Sequence, residues 1–173
     1  FVSEANPSGF STVAVQWTGI TGANCVFKIA PDSSKIDLAK LDHAKTKVVL
    51  VTNFGEMTVV FRPDKAPKHV ENFLKLAKSG FYDGTKFHRI IEGFMIQGGD
   101  PNTKDPAKGV QTWGQGGPEY KIEPETGDLV HARYVLSAAK NPNELQSSGS
   151  QFFITTGTPH HLDGIHTVFG AVI

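Results

Sequence analysis

A single cysteine, Cys25, leaves this chain without an internal disulfide and without a multi-cysteine metal site. Lysine plus arginine number 17 and aspartate plus glutamate number 17, so the formal net charge is zero. With a pI near 7.2, no broad basic surface for nucleic acid is indicated. No apolar run approaches the length of a membrane span. The chain begins at Phe1 and shows no basic stretch followed by an apolar segment. No signal peptide is therefore visible, and a cytoplasmic location is favoured. Internal repeats and low-complexity tracts are also lacking. Gly114 to Gly117 is followed by neither a Lys-Ser/Thr pair nor a helical pattern, which excludes a phosphate loop. Ser150, His166 and Asp163 could be forced into a hydrolase triad, but no Gly-x-Ser-x-Gly elbow is present. His160, His161, Asp163 and His166 are close in sequence, yet adjacent histidines on a loop rarely converge on a metal without more ligands.

What remains is a turn-rich chain with enough apolar material for a core. Its 173 residues suit one domain with an appendage, and hydrophobic residues make up 39%. Gly 18 and Pro 10 point to an all-β protein. Residues 1–45 read as a leader with short strand-like patterns at Phe10–Ile20 and Asn24–Ala30, part of it able to stay disordered. Ile36 to Ala44 could form a short helix capped by Ser33 or Ser34. From Lys47 the pattern sharpens. Val48–Val51 and Met57–Phe61 read as strands joined by a hairpin at Asn53-Phe54-Gly55. Pro67 suits a first helical turn, Val70, Phe73, Leu74 and Ala77 recur at helical spacing, and Gly80 is the stop. Pro101 to Pro118 reads as a long surface loop. Short strands follow at Tyr120–Ile122 and Tyr134–Ala139, and Asn141 to Ser148 is a polar loop.

One run stands out, from Phe87 to Asp100. A single arginine, Arg89, lies among aromatic, aliphatic and glycine residues. As a strand, the run puts Arg89, Ile91, Gly93, Met95 and Gln97 on one side. His88, Ile90, Phe94 and Ile96 take the other, with a bulge able to shift the phase. A guanidinium beside Phe, Met and Gln gives a mostly apolar site with a few placed donors, the chemistry of a small ligand cleft. The runs Ser150–Thr155 and Leu162–Gly170 supply more residues of the same kinds.

Together these three runs resemble the cyclophilins, the cyclosporin-type peptidyl-prolyl cis-trans isomerases, over about residues 46–173. The resemblance implies a mainly β fold: a cyclophilin-like antiparallel β-barrel with a capping helix. It implies isomerisation of X-Pro bonds in peptides and unfolded proteins without a cofactor. Arg89 matches the catalytic arginine. Phe94, Met95, Phe153 and Leu162 match the proline pocket, and His166 its histidine. Phe87 and Phe152 are expected in the core. Gln97 and Gln151 match side chains that hold the arginine and the substrate backbone. Ala139 and Lys140 match the edge that pairs with the peptide, and Gly116 lines the neighbouring subsite.

The departures also carry expectations. His161 stands where the family often has Trp, which implies weak cyclosporin binding, and Lys140 replaces an Asn. The loops Pro101–Gly114 and Asn141–Ser148 are longer than in compact members. The family continues past Val168-Phe169-Gly170 with a helix and a closing strand, so the chain reads as truncated at its C-terminal end. The barrel should then have an open edge beside Val48–Val51, near which Asn24–Ala30 is expected to lie. A rival from another class is a non-catalytic module that binds proline-containing segments.

Overall fold

The computed structural model describes residues 12–17, 25–26 and 42–173. Eleven strands and one α-helix are found among them. The strands are β1 (Thr12–Trp17), β2 (Cys25–Val26), β3 (Lys47–Thr52), β4 (Gly55–Phe61), β5 (Arg89–Ile91) and β6 (Met95–Gly98). The rest are β7 (Lys121–Ile122), β8 (Val135–Ala138), β9 (Ser147–Ser148), β10 (Phe152–Thr155) and β11 (Val168–Val172). The helix α1 spans Pro67–Lys78. Nine strands form one sheet in the order β2-β1-β3-β4-β11-β8-β10-β6-β5, while β7 and β9 pair separately. Every neighbour is antiparallel except β1 and β3, which run parallel. The sheet curls into a half-barrel with the helix against it, as the mainly β expectation required.

The strand next to β3 comes from the leader, as expected, but from a different part of it than Asn24–Ala30. Val13, Ala14 and Val15 of β1 face Val48, Val49 and Leu50 across the ladder. From Asn24–Ala30, Cys25 and Val26 form β2, which pairs with β1 one strand further out, and its other residues lie outside the described ones. The expected helix at Ile36–Ala44 lies mostly outside them too, and residues 43–45 form a turn.

The first hairpin forms where the turn residues placed it. Thr52 pairs with Gly55, leaving a loop of Asn53 and Phe54, and Gly55 takes φ +125, which favours glycine. The helix also follows its pattern. Its buried residues are His69, Val70, Phe73, Leu74 and Ala77. At its end, Phe81 N–H donates to Leu76 O and Gly80 N–H to Ala77 O, with Gly80 at φ +72, a Schellman stop. At its start the helix has no cap of its own. Glu125 supplies one from afar, accepting from the backbone N–H of Lys68 at 3.1 Å and of His69 at 3.0 Å.

Phe73 sits at the centre of the main core. Its ring lies 5.0 Å from Tyr82, 5.4 Å from Phe152, 5.6 Å from Phe61 and 5.7 Å from Phe169. The helix thus joins β4, β10 and β11 through aromatic contacts. Phe87 and Phe152 belong to this core, as expected.

The run Phe87–Asp100 is not one strand. It folds as a hairpin, β5 and β6, turned at Glu92-Gly93-Phe94. Gly93 takes φ +69 and Phe94 N–H donates to Ile91 O. Arg89 pairs with Gln97 and Ile91 with Met95. Directly opposed residues share a face, so the expected set stays together. Gly93 leaves the strand for the turn. Phe94, expected opposite Met95, is re-aimed and packs with it.

Candidate active site

Strand β10 has two lives. Phe152 and Ile154 enter the main core. Phe153, between them, joins Met95 of β6 and Ala139 in a second, smaller cluster, against which Phe94 and Leu162 pack. This cluster floors one end of a cleft of about 1180 Å³. Of the expected site residues, Arg89, Phe94, Met95, Gln97, Gly116, Ala139, Lys140, Gln151, Phe153, Leu162 and His166 all line that cleft. His161 does not line it. It stacks on Phe94 at the rim, ring centroids 5.7 Å apart.

A polar relay crosses the cleft floor. Nη1 of Arg89 lies 3.5 Å from Gln97 Oε1, at the outer limit of a hydrogen bond. Gln97 Nε2 donates to Gln151 Oε1 at 3.0 Å, and Gln151 Nε2 donates to Gly116 O at 2.7 Å. The fully buried Asp100 anchors the far end. Its carboxylate accepts from Asn102 N–H at 2.7 Å, from Gly116 N–H at 3.2 Å and from Gly114 N–H. A side chain at position 116 would strike Asp100 and Asn102, so glycine is required there for close approach. Arg89 itself is exposed, lines the cleft and forms no ion pair with the described residues.

His166 forms one wall of the apolar end. Its ring meets Phe153 edge-on at 5.5 Å, and Nδ1 lies 3.0 Å from Ala138 O. Burial lowers its pKa, and the nearby Lys140 charge acts in the same direction. Burial likewise lowers that of His88, which lines the cleft. The site is therefore an apolar pocket beside an exposed guanidinium, with imidazoles of lowered pKa on its walls. It presents hydrogen-bond donors without a nucleophile–base pair. Among the described residues no group of three or more side chains could hold a metal ion, and no helix is long and apolar enough to cross a membrane.

Comparison with known proteins agrees with this geometry. Residues 47–173 match the family model described as cyclophilin type peptidyl-prolyl cis-trans isomerase/CLD. The chain belongs to the cyclophilin family.

The chain is 48% identical over 130 residues to peptidyl-prolyl cis-trans isomerase CYP18-1 of Arabidopsis thaliana, covering 73% of this chain and 75% of that protein. It is 45% identical over 131 residues to peptidyl-prolyl cis-trans isomerase-like 2 of Cryptococcus neoformans. There it covers 75% of this chain but spans only 22% of that relative's length. A crystal structure of a Cryptosporidium parvum cyclophilin type peptidyl-prolyl cis-trans isomerase, in the presence of the dipeptide Ala-Pro, superposes with a TM-score of 0.64. It is 35% identical, covering 73% of this chain and 78% of that one.

This cyclophilin also holds a polar network, buried at His131 and Ser137, that sequence reasoning missed. His131 is fully buried and stacks on the back of Phe153 at 5.8 Å, the planes 11° apart. Its Nδ1 lies 2.8 Å from Asp163 Oδ1, which also accepts His131 N–H at 2.6 Å. Its Nε2 lies 2.9 Å from the Ser137 hydroxyl. His160 reaches the other Asp163 oxygen at 3.0 Å. The His131 backbone N–H is the largest cause that lowers the Asp163 pKa to about 2. Burial lowers that of His131. So the three histidines clustered in the sequence do not converge: His160 and His161 serve an aspartate and an aromatic ring, and His166 faces a backbone carbonyl. His131 lies in a loop with no periodic pattern. The one signal that could have pointed to the network was the charged Asp163 inside Leu-Asp-Gly.

Proposed function

We propose that this chain accelerates the cis/trans isomerisation of X-Pro bonds in peptides and unfolded proteins, and so assists folding. Rotation about such a bond faces a barrier of about 18–20 kcal/mol and takes tens of seconds or more unaided. The barrier arises because the nitrogen lone pair is shared with the carbonyl. In the twisted transition state that sharing is lost. The nitrogen becomes pyramidal and a better hydrogen-bond acceptor. A fixed donor aimed at it binds the transition state better than either planar ground state.

Arg89 is the donor in this reading, because a guanidinium stays charged and holds several rigid N–H groups. Gln97 orients it and Gln151 orients Gln97. Phe94, Met95, Phe153, Leu162 and His166 receive the proline ring. The Ala139–Lys140 edge and Gly116 take the flanking backbone. The observation that carries this reading is one exposed guanidinium, tied to Gln97, beside an apolar cluster separate from the core.

The test is exchange NMR on a short X-Pro peptide with and without the protein. Exchange should accelerate, and Arg89→Ala should lose about 2.7–4 kcal/mol of transition-state stabilisation, roughly 10²–10³ in kcat. Unchanged turnover in that variant would overturn the role of Arg89. A wild type that binds the peptide without speeding exchange would point to a binding module instead.

Cyclosporin is a further expected ligand, held weakly. His161 at the rim offers less apolar area than an indole and lacks its N–H donor geometry. His161→Trp should strengthen inhibition. Nanomolar inhibition of the unaltered chain would remove this position from the explanation.

A further inference from the structure

The charges in the cleft do not balance, although those of the whole chain do. The charged residues lining it are Arg89, Lys121, Lys140 and Glu144. Lys121 and Glu144 pair with each other across the outer rim. Arg89 and Lys140 form no ion pair with any described residue. His88 and His166 are kept neutral by burial and add no compensating or further charge near pH 7. Two carboxylates lie behind the walls and are directed elsewhere. Asp100 is turned to the amides of Asn102, Gly114 and Gly116. Asp163 is turned to His131 and His160. The cleft therefore presents two uncompensated cations, and only one of them is needed for the chemistry.

Lys140 is the spare cation. It directly follows Ala139, whose buried side chain belongs to the apolar pocket, and it is half-buried where its neighbour Asn141 is exposed. An extended peptide advances about 3.3–3.6 Å per residue. With the proline ring in the pocket that Ala139 borders, the residues flanking that proline fall within reach of a lysine side chain. Low-dielectric walls concentrate the field of such a charge inside a cleft.

We propose that Lys140 makes this cleft selective for X-Pro bonds flanked by a side-chain anion, either a carboxylate or a phosphoryl group, at a position adjoining the proline. The proposal rests on the isomerase reading above and names the substrate class of the same site. Neutral peptides remain substrates. Anionic ones gain in encounter and in affinity, and peptides with a flanking lysine lose.

The experiment compares one neutral peptide, containing a single X-Pro bond, with versions carrying Glu, phosphoserine or Lys next to the proline on either side. kcat/KM is measured by exchange NMR, and Kd by chemical-shift titration, at low and at high salt. At low salt, Glu or phosphoserine in at least one flanking position should raise kcat/KM by about two- to fivefold over the neutral peptide, in the range of solvent-screened ion pairs. Lys there should lower it, and high salt should bring the series together. Lys140→Asn should shrink the anion-to-neutral ratio, Lys140→Glu should invert it, and Lys140→Arg should retain it. Equal rates across the wild-type series would overturn the proposal, as would a ratio that survives Lys140→Asn. A response to phosphoserine but not Glu would restrict the class to phosphorylated segments, and the reverse to acidic ones. If no peptide is accelerated, the isomerase reading fails, while the Kd series still decides the charge preference.

Discussion

Phe152 and Phe153 are adjacent, identical in type and both buried, yet they serve opposite sides of one strand. Phe152 meets Phe73, Tyr82 and Phe87 in a closed aromatic core. Phe153 meets Met95, Ala139 and the rings of His131 and His166 at the base of an open cleft. On the first side an apolar ring excludes water permanently. On the second, a ligand completes the packing. The difference lies in what surrounds each ring: helix α1 covers one, and the polar chain of Arg89, Gln97 and Gln151 borders the other. A strand with both faces buried can thus build a core and a binding site from one run of residues.

That contrast can be broken by substitution. Phe152→Ala should have the largest effect on stability, about 3–5 kcal/mol, because it opens a cavity in a packed aromatic core. Chemical denaturation measures this. Phe153→Leu should shift stability by less than about 1.5 kcal/mol, because the change is modest in volume and lies at the cleft. It should raise the KM for an X-Pro peptide. If the two variants lost equal stability and Phe153→Leu left peptide turnover unaltered, the division between core and pocket would fail.

A smaller effect concerns Glu125 and helix α1. Glu125→Gln keeps an acceptor for Lys68 and His69 N–H but removes the charge at the helix start and beside His69. The loss should be about 0.5–1 kcal/mol. It should appear in denaturation and leave the peptide KM unmoved, since Glu125 is on the core side.

Acid sharpens the comparison further, since both sides hold buried histidines. His69 on the core side, and His131 and His166 on the pocket side, have pKa values lowered from 6.5, in each case chiefly by burial. Their folded values lie below their unfolded ones, so the unfolded chain takes up protons first. Their contribution to stability is complete above about pH 6.5 and declines as the pH falls through that value towards the folded pKa. Asp163 acts lower on the scale. Its folded pKa of about 2 lies below 3.8, so its contribution holds above pH 3.8 and is lost between there and about pH 2. Denaturation followed from pH 8 to pH 3 should show stability falling below pH 6.5. A flat profile between pH 7 and pH 5 would mean that these imidazoles are solvated rather than buried.

Much of the architecture was legible in order. Apolar residues spaced at helical period, with Pro67 before and Gly80 after, left one place for α1, and the Asn53-Phe54 turn left one register for β3 and β4. These signals are local: each depends on residues within a few positions of one another. The site residues were legible as well, as a resemblance carried by three separate runs, and the structure gathers all but His161 around one cleft. Less legible was the phase of the run around Arg89. Read as one strand it put Phe94 opposite Met95, and only the turn at Gly93 brings the two together.

Periodicity, turn residues and composition thus determined most of the elements and the β class, and the resemblance of three runs to a known family named the cleft residues. Tertiary structure alone decided that β1 rather than Asn24–Ala30 lies beside β3 and that Glu125 caps a helix 57 positions away. It also decided that His131 stands behind Phe153, and that the carboxylate lining the cleft, Glu144, pairs with Lys121 rather than with Arg89 or Lys140. The physical reason is range. Backbone propensity and hydrophobic period act over a few residues and are written in the local sequence. A cap, a ring stack or a charge imbalance depends on which distant segments the packed core brings within a few ångströms.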